Sequence, residues 1–400
     1  MSKTTVITKR NVELESPKTT ADPGLVTAHT GMRGLLAFYL MLFHALWYSA
    51  GWNLHGSALM PVFFLLAGYS LAIVYGKQQP KLNIKDYYRN RFARIAPVYY
   101  VAMLIALPLA VFGHSWVPPS DIGWVFATNL FAMQMWASLP PLSFVGPAWT
   151  VSTLAFFYLL FPLLLRWHQN QTDRSLNRWI TILAVVQAIV FFALSFAIAP
   201  IDSFWAFWAS HAWPISRLAV FDMGLVAGLL MLRQGRPDRD TAVRVMGVST
   251  DQKHRWARRV DWYAGTFVVF VIGLSALQIG GIDLLGSWWM QGVFPYVILV
   301  IIVGLSMTTR EVNSYTQRLL SWPVFLFLGR ISLALYLVHE PIIQYVAWAA
   351  RPAQAWGFDM PMPVWGIAIV LPASLVLAIL IERTIETPAR YFIRARRRGL

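Results

Sequence analysis

The chain has 400 residues, 57% of them hydrophobic and only 13% charged, against about 45–50% and about 25% in an average soluble domain. Too few charges remain to cover the surface of soluble domains, so a polytopic membrane protein is what the composition leaves. It has no cysteine, which excludes thiol nucleophiles, redox pairs and thiolate zinc sites. The net charge of +15 requires an account by position.

Residues 1–27 are polar and basic and read as a cytosolic tail. A cleaved signal would need its apolar stretch nearer the start. Apolar runs of membrane-spanning length then recur ten times, near 34–50, 58–76, 95–113, 148–167, 179–199, 213–232, 262–280, 290–308, 323–349 and 364–382. The expected fold is therefore all-α, a polytopic bundle of about ten transmembrane helices. The apolar stretch 122–136 is short and reads as a re-entrant or interfacial helix; were it to span, the count would be eleven and the alternation of the connections would fail.

The connections alternate in charge. Segment 77–94 carries Lys77, Lys81, Lys85, Arg89, Arg91 and Arg94, and 233–261 carries eight bases from Arg233 to Arg259. Segments 51–57, 114–147, 200–212 and 281–289 carry none. By the positive-inside rule both termini face the cytosol, and the basic charge needs no nucleic acid to explain it. The base-free connection 114–147 is then extracytoplasmic, and its prolines and aromatics make it the candidate lid or acceptor-binding surface. Trp47, Trp52, Trp116, Trp124, Trp288 and Trp289 sit near the outer boundaries, where aromatic belts form.

Ionisable groups inside a bilayer are costly and mark candidate sites. Arg33 and His44 bracket the first run. Eleven residues turn a helix about three times and rise about 16.5 Å, so both side chains lie on one face, with His44 near mid-membrane. A neutral imidazole there suits general-base work, and a packing histidine with a snorkelling arginine is the competing account. His55, in the next connection, reads as a loop residue suited to serve as a control. Arg91 and Arg94 are three apart on one helical face, with Arg89 beside them. They suit an anionic cofactor with several phosphates, or topology and lipid headgroups alone. His339, Glu340 and Pro341 fall inside the ninth run, where the proline should kink the helix. Asp222 either pairs with Arg217 or stays solitary. No nucleophile elbow, P-loop or metal-ligand spacing is present.

Several segments together resemble the acyltransferase 3 family of bacterial integral-membrane O-acyltransferases. RGLLAFYLMLFH (33–44) looks like its R-x10-H, and PVFFLLAGYSLA (61–72) is similar to its FFxLSGF segment. RFARIAPVYY (91–100) looks like R-x-x-R-I-x-P-x-Y, and WTVSTLAFFYLLFP (149–162) resembles W-S-L-S-x-E-x-x-F-Y-L-L-F-P. LGRISLALYLVHEPI (328–342) matches a late family segment, and ETPAR (386–390) resembles the terminal E-R/K-P-x-R. The likeness runs from about Gly31 to Arg396. It departs at Leu154, where the family commonly has Glu, so that role falls to Glu340 or Asp222, is dispensable, or is lost.

The resemblance implies transfer of an acyl group, most often acetyl, from cytosolic acyl-CoA to a hydroxyl of a cell-surface or lipid-linked carbohydrate. Residues 28–385 would form the transmembrane acyltransferase domain and 386–400 a basic cytosolic tail. The expected catalytic residues are His44, Arg33 and Glu340, and the expected donor-binding residues are Arg89, Arg91 and Arg94. No metal and no permanently bound cofactor is expected, with acetyl-CoA as donor substrate. The lipid bilayer and the carbohydrate are the other partners, and the location is a bacterial inner membrane. The rival readings are a transporter or flippase for a lipid-linked sugar, and a catalytically lapsed family member.

Overall fold

The computed structural model describes residues 27–78, 82–112, 117, 119–137, 144–194, 196, 208–234, 250–282, 287–308, 314–350 and 362–395. Among them there is no strand. Ten long helices form a polytopic bundle: α1 (Thr27–Ala50), α2 (Pro61–Tyr75), α3 (Ile84–Val111), α6 (Trp149–Gln169), α7 (Asp173–Ala193), α8 (Pro214–Arg233), α9 (Thr250–Ile279), α10 (Ser287–Met307), α12 (Pro323–Ala350) and α13 (Ile367–Ile381). Nine of these, with their short flanking turns, are long and apolar enough to cross a membrane. The tenth, α1, is long enough at 24 residues, about 36 Å, but His29, Arg33 and His44 lower its hydropathy.

The stretch 122–136 does not span. It breaks into α4 (Ile122–Leu130) and α5 (Gln134–Ala137), with Ala132 between them at a φ of 53°. Two short helices cannot cross the core, so the alternation of the connections survives. Trp47, Trp52 and Trp124 are exposed, as a lipid-facing belt requires. Much of the 114–147 connection, including Ser138, lies outside the described residues.

Two backbone seams hold the bundle, and both are made by glycine. Between membrane helices packing, rather than the hydrophobic effect, drives association, so small residues that let backbones approach are decisive. On α2 and α8, a Cβ on Gly68 would lie 2.1 Å from Phe221 O, and one on Gly224 2.2 Å from Leu65 O. On α1 and α12, a Cβ on Gly34 would lie 2.4 Å from Gly329 N, and one on Gly329 2.2 Å from Thr30 O. Backbone atoms cannot give way as a flexible side chain can. Gly224→Leu should therefore cost about 1–3 kcal/mol through overpacking, seen as a lower melting temperature of the detergent-purified protein. An unchanged melting temperature would mean that the α2–α8 seam is looser than described.

The chain closes with a π-helical turn (Glu382–Glu386) and α14 (Thr387–Ala395), which packs on α3. α3 begins at Ile84, eleven residues before the apolar run, because Asn83 caps it by accepting from Asp86 N at 3.1 Å. Arg89, Arg91 and Arg94 consequently stand on the helix itself rather than in a connection.

Candidate active site

The α1–α12 seam positions the central pair. The two helices run parallel, and Gly34 lies against Gly329. Ten residues further along each, about 15 Å, His44 Nδ1 meets His339 Nε2 at 2.9 Å. The rings lie nearly parallel, 17° apart. The glycine seam thus sets the register that makes the histidines partners.

The hydrogen bonds fix the tautomers. His339 Nδ1 lies 3.1 Å from Leu335 O, and a carbonyl only accepts, so Nδ1 carries the proton. A neutral His339 then presents a lone pair at Nε2. His44 must donate its Nδ1–H to that lone pair, which leaves the His44 Nε2 lone pair as the open position. No described residue bonds that atom, and His44 is half-buried whereas His339 is fully buried. Chemically, such an arrangement can serve as an oriented general base, the second imidazole holding the first in the useful tautomer.

In that chemistry His339 would act by positioning His44. His339→Leu should lower kcat at least about tenfold with the donor KM unchanged, because His44 loses the acceptor that holds its tautomer. His339→Gln, which keeps an acceptor oxygen, should retain more activity. Equal loss in both variants would reduce His339 to packing.

Glu340 is buried beside this pair and bonds to the turn before α6 and along α12. It accepts from Gly146 N at 3.2 Å and from Gln344 Nε2, tying the turn before α6 to α12. His44 Nδ1 meets His339, not Glu340. α12 stays helical through Pro341.

A second polar group lies across the bundle and was not foreseen as a site. His211, on a π-helical turn (Trp208–Ala212), packs against Trp149 with ring centroids 4.6 Å apart. It also lies within electrostatic reach of His44. Arg217 is fully buried, with Nε donating to His211 O at 3.0 Å and Nη2 to Gln291 Oε1. Its guanidinium lies 4.9 Å from the Phe191 ring centroid. A charged residue within an apolar run was the signal available.

Asp222 neither pairs with Arg217 nor stands alone. Its carboxylate accepts from His168 Nε2 at 2.8 Å and from Trp179 Nε1 at 3.0 Å. Five residues turn a helix about 500°, which points Asp222 away from Arg217, towards α6 and α7.

At the other end of α1, the arginines divide. Arg33 and Arg94 lie within electrostatic reach of the buried Glu386, which is salt-bridged to Arg390. Arg91 lies on another flank, its guanidinium 5.7 Å and 5.8 Å from the Tyr75 and Tyr158 rings. Arg89 is bound to Asp86 at 2.7 Å. The expected trio shares one helix but meets three different sets of partners. The group that gathers below His44 is Arg33, Arg94 and Arg390, arranged around one carboxylate. Arg390 and Glu386 belong to the ETPAR segment, to which the sequence reading attached no role.

His55 lies in the connection, as expected, but is buried there, with a φ of 53°, which makes it a poor control. Leu154 lies in an apolar cluster with Phe64 and Phe157. Nearby, the Thr153 hydroxyl reaches Trp149 O at 3.1 Å and Ala212 O at 3.3 Å. Among the described residues no three His, Asp or Glu side chains converge as metal ligands.

A family model described as "Acyltransferase domain" matches residues 28–383. The acyltransferase MdmB of Streptomyces mycarofaciens is 26% identical over 308 residues, which are 72% of this chain and 69% of that protein. The peptidoglycan O-acetyltransferase OatA of Listeria monocytogenes is 20% identical over 381 residues, 90% of this chain and 55% of that protein. The chain thus spans about half the length of that second relative. No solved structure matches.

Proposed function

Because the chain belongs to the acyltransferase 3 family, we propose that this integral-membrane acyltransferase moves an acetyl group from acetyl-CoA to a hydroxyl of a cell-surface or lipid-linked carbohydrate. The observation that carries the reading is the alignment on α1. An oriented base, His44, stands eleven residues above an arginine group with the charge to hold CoA phosphates. The long pantetheine arm would run along the helix between them. Arg33 and Arg94 would hold the phosphates, with Arg91 at the flank and Arg89 contributing less because of Asp86.

In the reaction, His44 Nε2 takes the proton of the acceptor hydroxyl as its oxygen attacks the thioester carbonyl. The tetrahedral intermediate collapses, the C–S bond breaks, and the CoA thiolate takes the proton from His44. Glu340, bonded to the turn before α6, would help shape the acceptor side.

The test is release of CoA thiol by purified protein given acetyl-CoA and cell-envelope carbohydrate. The cysteine-free chain adds no thiol background. Acceptor-dependent thiol release, lost in His44→Gln, is the expected result. No release would favour the transporter or lapsed-member reading, the latter motivated by Leu154.

The orientation that puts the arginines on the cytosolic side, in a bacterial inner membrane with both termini cytosolic, has its own test. A cysteine at Ser138 should react with an impermeant maleimide in intact cells. Labelling only after permeabilisation would reverse the topology.

A further inference from the structure

We infer that the start of α9 carries a binding site for one anionic phospholipid, its phosphate held by Arg255, Arg258 and Arg259. These arginines, with Trp262 and Tyr263, line a hollow of about 340 Å³ on the surface of the bundle. None of them takes part in the sites described above.

The helix itself indicates the depth. α9 has 30 residues, about 45 Å, against a hydrocarbon core of about 30 Å. Counted back from Ile279, the core ends near residue 260. The three arginines therefore stand just beyond the hydrocarbon, at headgroup level, and Trp262 and Tyr263 stand at the boundary, where aromatic residues anchor.

The face argues for a lipid rather than a soluble anion. Arg255, Trp262, Thr266, Val269 and Gly273 fall within about 60° of one another on a helical wheel. Trp262 and Val269 are among the most exposed apolar side chains of the helix, at 69% and 71%. A Cβ on Gly265 or Gly273 would meet nothing within 4 Å. One face thus passes from cations, through an aromatic, to an open apolar track of the kind an acyl chain would follow.

The charge is available. No described carboxylate forms a salt bridge with any of the three arginines. Asp261, on the same helix, accepts Tyr315 N at 2.9 Å and Thr316 N at 2.8 Å, capping α11 (Tyr315–Leu320). Arg259 also lies 5.6 Å from the Trp256 ring centroid. Guanidinium forks suit a phosphodiester, and clustered bases at the membrane surface favour anionic over zwitterionic headgroups.

Native mass spectrometry of the detergent-purified chain with added phosphatidylglycerol or phosphatidylcholine tests the site. The wild type should retain one phosphatidylglycerol and release phosphatidylcholine. The triple variant Arg255→Gln, Arg258→Gln, Arg259→Gln should retain at least about tenfold less phosphatidylglycerol, and the corresponding triple Lys variant should keep most of it. If the triple Gln variant fails to insert, Arg258→Gln alone should show a partial loss. Undiminished retention in a Gln variant that inserts, or equal retention of both lipids by the wild type, would overturn the site. So would displacement of phosphatidylglycerol by CoA, which would assign the hollow to the nucleotide donor.

Discussion

His44→Gln should lower acyl transfer by at least about 10²-fold, the lower range for losing a general acid–base group. Glutamine keeps a hydrogen-bonding end of similar reach, so it can still meet His339 across the α1–α12 seam. It has no lone pair basic enough to take the proton of an alcohol. Insertion and abundance should stay near wild type, because the glycine contact that holds the helices together lies ten residues away at Gly34 and Gly329. His44→Ala should be equally inactive. The control is His254, which is exposed at the start of α9, rather than the buried His55. The measurement is acceptor-dependent CoA thiol release at equal protein content. Retention of most activity by His44→Gln would make the His44–His339 contact structural and move the search for the base to His211.

Substituting Arg33 and Arg94 together with glutamine should raise the KM for acetyl-CoA strongly. Each charge-assisted bond to phosphate is worth about 1.5–3 kcal/mol if made in full, or roughly tenfold to 150-fold in affinity. Competition from water reduces this at the bundle's edge. The same change at Arg89 should do little, because its guanidinium is already bound to Asp86 at 2.7 Å. Arg91→Gln should fall between the two, since its aromatic partners on α2 and α6 leave the charge uncancelled. The graded order is the informative result. Equal effects at Arg33, Arg89 and Arg94, or none, would assign these arginines to topology alone.

The extent of the bundle was legible because a bilayer imposes a length on every crossing and a charge pattern on every connection. Both are local properties of the chain, so ten runs and their alternation could be read directly. The spacing of Arg33 and His44 was legible for the same reason, since one helix fixes both height and face. The shortness of 122–136 pointed to a non-spanning helix, and the break at Ala132 decided it.

Partnership was not legible, because it depends on which helices lie side by side. Nothing local to α1 announces α12, almost three hundred residues later, and a one-turn slip would separate His44 from His339. Glu340 looked like the stronger candidate because carboxylates are rare in apolar runs. Its neighbour His339 is the residue that the Gly34–Gly329 register brings opposite His44. The three arginines of α3 looked equivalent in sequence. Packing divided them, giving Arg89 to Asp86, Arg91 to the tyrosines and Arg94 to Glu386. Asp222 went to His168 rather than Arg217 because five residues is the wrong helical step. The sequence by itself determined which segments cross the membrane, the spacing along each, and the family. The tertiary structure alone decided which polar groups meet and which nitrogen of His44 is left open, because hydrogen bonds between helices depend on register, and the register here is set by two glycine seams.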